Sequence, residues 1–195
     1  MYDYSQETKT FELAATGVYE LVIETAELKR TQNGKNFIGL TFSIREDVEQ
    51  PYTGVKIWAN IWENDVHRNQ NGDRITKDAY DKMSDVQKAN VTTNKEYDDF
   101  MVRKLIHAQD VDKVIKDENG NDKPNPNFKT SFDNIEEVAL FLNGLCVQAK
   151  VNKAMDDRSG NERNSIDFRT VKRTSVPSPN ADSVDVEVDD DDLPF

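Results

Sequence analysis

The sequence contains very little cysteine: Cys146 is the only one among 195 residues. A single thiol cannot form an internal disulfide. A structural zinc site would have to depend on His67 and His107, the two histidines of the chain, which lie far apart in the sequence. The sequence therefore predicts no disulfide and no bound metal, and no pattern in it indicates a cofactor.

Long apolar runs are also absent, since hydrophobic residues make up only 36% of the chain. No stretch is long enough to cross a bilayer, and residues 1–4 lack the basic and then apolar pattern of a signal peptide. We therefore expect a cytoplasmic protein with one domain of modest size and a large solvated surface.

Catalytic motifs are missing as well. The sequence has no Walker A loop, no Gly-x-Ser-x-Gly nucleophile elbow and no His-Glu-x-x-His motif. Residues 117–122 resemble a calcium loop only superficially, because the glycine comes too early and the bidentate glutamate is missing. Acidic side chains distant in sequence could still form a two-metal nuclease site. The sequence nevertheless favours a protein that is not an enzyme.

Positive charge is scarce: 25 Lys and Arg stand against 37 Asp and Glu, a formal net charge of −12. This argues against a nucleic-acid binder, because phosphate binding needs an electropositive surface that releases counterions. Seven of the acids follow Pro177, where no Lys or Arg occurs, so residues 1–176 carry 25 − 30 = −5. A body of this mild acidity can still carry a local basic groove.

Alternation between polar and apolar residues is the strongest pattern that is present. Residues 17–28 and 37–45 alternate on either side of Asn33-Gly34, a dipeptide typical of tight hairpin turns. Residues 55–62 form a third run, and two more runs near residues 145–151 and 166–173 indicate a closing hairpin. In the third run the outward face is predicted to carry Lys56, Trp58, Asn60 and Trp62.

An insertion over residues 64–132 separates the third strand from the fourth. We expect helices over residues 76–89 and 94–109, an exposed polar loop over 117–127, and a helix capped by Asp133 and Glu136 that ends at Gly144. A meander, a helix and a hairpin follow one another in an OB-fold, a barrel whose face binds oligonucleotides. The predicted fold is mainly β, a five-stranded OB-fold barrel over residues 1–176 with this helical insertion. Another small barrel or an open α+β sheet would also fit.

The third strand carries the residues that most resemble a ligand site. An exposed indole can stack on any unpaired base and contributes about 1–3 kcal/mol per base, so Trp58 and Trp62 beside Lys56 suit single-stranded DNA. The alternative is that one or both indoles pack beneath the insertion. The cations of the hairpins would contact phosphates. The full set of predicted DNA-binding residues is Lys29, Arg30, Lys35, Phe37, Arg45, Lys56, Trp58, Trp62, Lys150, Arg163 and Arg169.

The end of the chain, residues 177–195, is predicted to be a disordered acidic tail, because it has no aromatic residue until Phe195. An acidic run can be merely solubilising. Such a tail has no reason to finish in Leu-Pro-Phe, whereas a docking peptide does, since Phe can fill an apolar pocket while aspartates meet a basic patch. The predicted partner-binding residues are Asp189, Asp190, Asp191, Asp192, Leu193, Pro194 and Phe195.

The segment Asp190-Asp191-Asp192-Leu193-Pro194-Phe195 resembles the acidic tip of bacterial single-stranded-DNA-binding proteins. The body is similar to phage-encoded members of that class in Gly17-x-Tyr19, Asn33-Gly34 and the stretch Leu142-Asn143-Gly144-Leu145-Cys146-Val147. The resemblance implies an OB-fold and protection of single-stranded DNA in phage DNA replication, recombination and repair, inside the bacterial host. It also implies a tail that recruits replication or repair proteins, and homo-oligomers are possible.

A second hypothesis is an acidic interaction protein or DNA mimic that binds a host DNA-processing enzyme and never touches DNA. The net charge of −5 over residues 1–176 supports it. The two hypotheses differ in whether the predicted cations Lys29, Lys35, Lys56, Lys150 and Arg169 lie on one face.

Overall fold

The computed structural model describes residues 12–157 and 159–179 of the chain. The predicted tail tip, Asp189 to Phe195, lies outside the described residues, as do residues 1–11 and 158.

The described residues form a mainly β structure. The nine strands are β1 (Gly17–Arg30), β2 (Asn36–Ile44), β3 (Lys56–Arg68), β4 (Arg74–Ile75), β5 (Thr92–Tyr97), β6 (Val114–Lys116), β7 (Asp122–Pro124), β8 (Cys146–Met155) and β9 (Glu162–Arg173). The four helices are α1 (Lys77–Asp81), α2 (Asp85–Lys88), α3 (Asp99–Ile106) and α4 (Ile135–Leu142). No helix in the described part of the chain is long and apolar enough to span a membrane.

Seven of the strands form one sheet, in the order β4-β3-β2-β1-β8-β9, with β5 also paired to β3. Every neighbouring pair is antiparallel, so β3 and β9 both run parallel to β1. The sheet curls until β3 and β9 lie close together, but no hydrogen-bonded ladder joins them in the described residues. The predicted closed barrel of five strands is therefore wrong: the sheet is open, and β6 and β7 form a separate hairpin.

The core lies on the inner face of the curled sheet, as the alternation of polar and apolar residues along the strands predicts. The predicted inward residues of β1 and β2 are buried, and α4 covers one end of the sheet with Val138 and Leu142. Asn143, directly after α4, holds the helix to β1 because its Oδ1 accepts from the Ala26 amide at 2.7 Å. The buried inward residues of the first three strands are Tyr19, Leu21, Ile23, Ile38, Leu40, Phe42, Ile44, Ile57 and Ile61.

The insertion differs from the predicted pair of long helices. Residues 76–89 are divided into α1 and α2, because Ser84 forms a capping box with Gln87 and begins a new helix. Residues 92–97 form β5 along the extended end of β3, although residues 94–97 were predicted to be helical. The helix α3 begins only after its cap, Asp98. Pairing with β3, which is distant in sequence, has outweighed the helix that the local sequence pattern predicts from residue 94.

Two smaller predictions in the insertion also need correction. Residues 114–124, which include much of the predicted polar loop, contain the β6–β7 hairpin. The cap of α4 is Asn134 instead of Asp133, and its Oδ1 accepts from the Glu137 amide at 2.8 Å. Glu137, instead of Glu136, returns a bond by accepting from the Asp133 amide at 2.8 Å.

Arg45 lies at the end of β2 and is the largest fully buried side chain, with a relative exposure of 1%. Its guanidinium donates to Asp47 at 2.5 and 3.0 Å, to the Thr174 hydroxyl at 2.9 Å, and to the carbonyls of Val176 and Pro177, each at 2.8 Å. The prediction that Arg45 contacts DNA is therefore wrong, because every part of the guanidinium is engaged inside the protein.

Glu20 continues this buried network from the neighbouring strand. Its carboxylate accepts from the Thr174 hydroxyl at 2.5 Å, from Gln148 at 2.7 Å and from the hydroxyl of Ser175. Burial by itself would raise the pKa of Glu20, but the hydrogen bonds from Ser175, Thr174 and Gln148 outweigh it and hold the pKa below its ordinary value. Arg45 and Glu20 thus fasten residues 174–177 to the sheet.

Candidate nucleic-acid interface

A groove of about 540 Å³ lies where β3 and β9 approach each other without pairing. The groove takes the outward side chains of β3 on one wall and those at the start of β9 on the other. Leu13 and Met101 also line it, so side chains from outside the two strands occupy the space between them. The remaining lining residues include Lys56, Trp58, Asn60 and Trp62 of β3, and Glu162, Arg163 and Ser165 of β9.

Every second residue of β3 from Ile57 to Ile61 is packed in the core, so the residues that alternate with them form an outward face. Ile57 and Ile61 are buried and Ala59 packs against the same core, so Trp58 and Asn60, which alternate with them, point to the other face of the sheet. On β2, Thr41 pairs with Trp58, and Phe37 pairs with Trp62. The two indoles are therefore four residues apart on one face, roughly 13 Å along a strand that rises about 3.3 Å per residue.

Trp58 is the more accessible of the two indoles, with a relative exposure of 62%. Large aromatic side chains are highly buried on average, so an indole this exposed at the wall of a groove is unusual. The structure bears out the prediction that Trp58 lies outward instead of beneath the insertion.

Trp62 is half-buried, and it is covered by residues of the first hairpin. Its ring centroid lies 4.7 Å from that of Phe37, with 38° between the planes, and the Lys35 ammonium is 4.9 Å from the Trp62 ring centroid. The stem of Lys29 lies beside Phe37, above Gly39, where a Cβ would approach the Lys29 Cδ to 3.2 Å. The structure thus groups Lys29, Lys35, Phe37 and Trp62 in one cluster that adjoins the groove.

The cations around the groove are paired with acidic residues. Lys56 contacts Glu24, Arg163 lies 3.2 Å from Asp156, and Lys29 lies 2.9 Å from Glu27. Exposed pairs of this kind are worth about 0–1 kcal/mol, so a phosphate can replace the carboxylate at little cost. The groove is nevertheless close to electrically neutral, and its distinctive feature is aromatic surface instead of positive charge.

Two predicted cations lie elsewhere. Lys150 on β8 pairs with Val18 at the beginning of β1, eleven positions from Lys29 and on the order of 35 Å along the strand. Arg169 is bound to Asp167 at 2.9 Å, and its guanidinium holds the pKa of that carboxyl below the usual range. Lys150 also acts on Asp167, so Lys150 and Arg169 lie near each other and apart from Lys29, and the five cations that should discriminate between the two hypotheses do not form one cluster.

A second cleft, of about 670 Å³, continues from the Trp62 cluster toward the extended end of β3. Arg30 and Lys35 line it from the first hairpin, and Arg30 donates to the Gly34 carbonyl at 3.2 Å. Lys95 of β5 lies 2.9 Å from Asp65, whose pKa it lowers. The other lining residues are Asn33, Gly34, Asn36, Glu63, Asn64, His67 and Lys77.

Several groove residues were missed by the sequence reasoning. Asn60 was predicted on the outward face of β3 but was left out of the DNA-binding set. Ser165 could have been found, since it alternates with Arg163 on β9. His67 and Lys95 could not, because the cleft that they line depends on β5, which was predicted to be helical. In the described part of the chain, no three His, Cys, Asp or Glu residues are grouped as metal ligands.

The protein is therefore mainly β, and its open sheet carries a groove between β3 and β9 that is lined in part by an exposed tryptophan. The chain belongs to the family described as a protein of unknown function, DUF669, whose model matches residues 1–129. The matched range includes both indoles and the whole first hairpin, but neither β8 nor β9. A comparison with curated proteins found no match to the chain.

Proposed function

We propose that the protein binds and protects single-stranded DNA along the β3–β9 groove during phage DNA replication or recombination. The observation that carries this proposal is the exposed indole of Trp58, on the same strand face as Trp62, between rims that hold Lys56 and Arg163. Each ring can take the π-face of an unpaired base, while the rim cations meet the backbone phosphates.

The strand order supports reading the fold as an OB-type barrel left open between β3 and β9. The order β3-β2-β1-β8-β9 and the helix α4 between the third and fourth of these strands in sequence match the OB arrangement. Oligonucleotides bind OB-folds on the face of the second and third strands, and beside the loops that follow the first and fourth strands. The ligand path that we propose runs over the same part of the molecule.

Single strands fit the site better than duplex DNA. In a duplex the bases are already stacked on each other, so the indoles have no free base to contact. Affinity for a duplex would then depend on phosphate contacts, and the cations of this groove are few and paired. Discrimination between single and double strands should therefore be pronounced.

Titration of the full chain with oligo-dT, followed by intrinsic tryptophan fluorescence, tests this function. We expect strong quenching. We also expect a shallow salt dependence, with a slope of log K against log salt of about −1.4, because the two rim cations would each release about 0.7 counterion from a single strand. A duplex of the same length is the control. Absence of quenching, or equal affinity for the duplex, would refute the proposal.

Recruitment of replication or repair proteins by residues 189–195 is the second part of the proposed function. It is supported by the sequence Asp-Asp-Asp-Asp-Leu-Pro-Phe, which combines charge with an apolar end. In pull-downs from host extract, deletion of residues 186–195 should abolish partner capture and leave oligo-dT binding in place. Replacing Leu193 and Phe195 by alanine, with the aspartates retained, separates apolar docking from charge attraction. Unchanged capture by the deleted chain would contradict the assignment.

A DNA mimic that binds a host DNA-processing enzyme is the alternative function. It is favoured by the pairing of the groove cations and by the position of Lys150 and Arg169 at Asp167, apart from Lys29. Such a protein would leave oligo-dT unbound, and it would compete with DNA for the enzyme. The oligo-dT titration therefore decides between the two functions.

A further inference from the structure

A third concave surface, of about 480 Å³, lies along α3 and is formed by residues that do not line the β3–β9 groove. We call it the α3 groove and define it by its lining residues, which are Asp99, Phe100, Arg103, Lys104, His107 and Lys113. It combines an apolar floor with a basic rim, a chemistry that the DNA-binding proposal does not use.

The floor of the α3 groove is aromatic. Phe100 keeps a relative exposure of 49%, which is high for so large an apolar side chain. His107 is stacked on Phe128 with the ring centroids 6.1 Å apart and 19° between the planes. The groove thus offers exposed ring surface to an apolar group that could fill it.

The rim of the α3 groove is positively charged. The Lys113 ammonium lies 5.3 Å from the Phe128 ring centroid, and Lys104 donates to the Arg169 carbonyl at 3.2 Å. Arg103 lies 2.7 Å from Asp99 in an ion pair. Asp99 is the one acidic residue among the lining residues. Three cations against one acid favour an anionic occupant.

The chain leaves the body next to this surface. The amide of Ser178 donates to Asp110 at 2.8 Å, and Arg173 binds both Asp110 at 3.1 Å and Asp112 at 2.5 Å. Asp112 directly precedes Lys113 of the α3 groove. The 16 residues 180–195 can span on the order of 50 Å when extended, so they reach the whole groove from this point.

We propose that residues 182–195 dock in the α3 groove of the same molecule. The segment carries seven acids and no Lys or Arg, which complements the rim, and Leu193 and Phe195 supply apolar side chains for the floor beside Phe100. A short tether gives the segment a local concentration in the millimolar range, so even a weak contact is populated. The β3–β9 groove suits it less, because its lining holds two cations, Lys56 and Arg163, against Glu162, whereas the lining of the α3 groove holds three against Asp99.

Docking would keep the tail tip from partners until a competing protein displaces it. It would also leave the β3–β9 groove open to DNA, because the two surfaces are lined by different residues. The inference is therefore independent of whether the β3–β9 groove binds DNA.

Paramagnetic relaxation enhancement on the full chain tests the docking. A spin label is attached at Asp189→Cys, and Cys146 is not labelled because only 2% of it is exposed. The amides of α3 and Lys113 and the His107 ring signals should lose most of their intensity, and reduction of the label should restore it. The ring signals of His67, the other histidine, lie in the second cleft and should keep their intensity.

A charge-reversed variant supplies the matched control. Lys104→Glu with Lys113→Glu should abolish the broadening, whereas Lys82→Glu with Lys123→Glu, the same charge change on exposed residues outside the α3 groove, should leave it in place. Broadening around Trp58 and Trp62, or no broadening at all, would overturn the proposal. Broadening that disappears on dilution, or that passes from a labelled chain to an unlabelled isotope-enriched one, would assign the segment to a second copy and overturn docking within one molecule.

Discussion

Replacing Trp58 by alanine is expected to weaken oligo-dT binding by roughly 1–3 kcal/mol, which is about 5- to 150-fold in Kd. The loss follows from removing the most accessible stacking surface of the groove. Trp58→Phe should keep part of the affinity, since it retains a smaller ring. Fluorescence anisotropy of a labelled oligo-dT measures the effect without relying on the tryptophan signal.

The matched control for Trp58→Ala is Leu140→Ala. Leu140 has a relative exposure of 74% and lies on α4, outside the groove, so its removal should leave DNA binding unchanged. Both variants should unfold at nearly the same temperature as the parent chain, because neither residue is buried. If Trp58→Ala binds oligo-dT as tightly as Leu140→Ala does, the groove is not the DNA site.

Trp62→Ala is a poorer test of stacking. Trp62 is packed against Phe37 and lies under the Lys35 ammonium, so its removal also takes away contacts that hold the first hairpin. Part of any loss in affinity would then be a loss of local structure. The two indoles are close in sequence and share a face, but Trp58 is the more exposed of them.

The strands of the core could be predicted because alternation with a period of two is a local signal. Ile38, Leu40, Phe42 and Ile44 are all buried where the pattern placed them. The same signal put Trp58 outward. These assignments need only the knowledge that one face of a strand is buried, and that knowledge is contained in about eight consecutive residues.

The burial of Arg45 could not be predicted from this local pattern. The alternation ends at Ile44, and the burial of Arg45 depends on Thr174, which is 129 positions away in the sequence. The positions of Lys150 and Arg169 depend in the same manner on strand register, which decides at which end of the sheet a side chain lies. Likewise, β5 exists because β3 extends beyond its hairpin partner and offers it a ladder.

Replacing Arg45 by alanine is expected to lower the free energy of unfolding by about 3 kcal/mol, among the largest effects of a single change in this chain. The variant would leave the Thr174 hydroxyl and the carbonyls of Val176 and Pro177 without their donor. Urea unfolding measures the loss. Lys29→Ala is the control, because it breaks an exposed pair with Glu27 and should cost about 0–1 kcal/mol.

The same network should be visible in the pH dependence of stability. The pKa of Glu20 is held below its ordinary value by Ser175, Thr174 and Gln148, and that of Asp47 is lowered chiefly by its bond from Arg45. A carboxyl whose pKa is depressed on folding stabilises the protein above its unfolded pKa, and this contribution is lost as the pH falls through the folded pKa. Stability should therefore decline with acidification below the unfolded values of 4.5 for Glu20 and 3.8 for Asp47.

Glu20→Gln separates this charge from the shape of the network. The amide keeps the volume and one of the two acceptor oxygens, but it takes up no proton in this pH range. We expect the variant to be less stable than the parent chain at pH 7 and to lose less of its stability between pH 5 and pH 3, so that the two unfolding curves converge in acid. An acid limb of unchanged steepness would show that folding does not lower the pKa of Glu20.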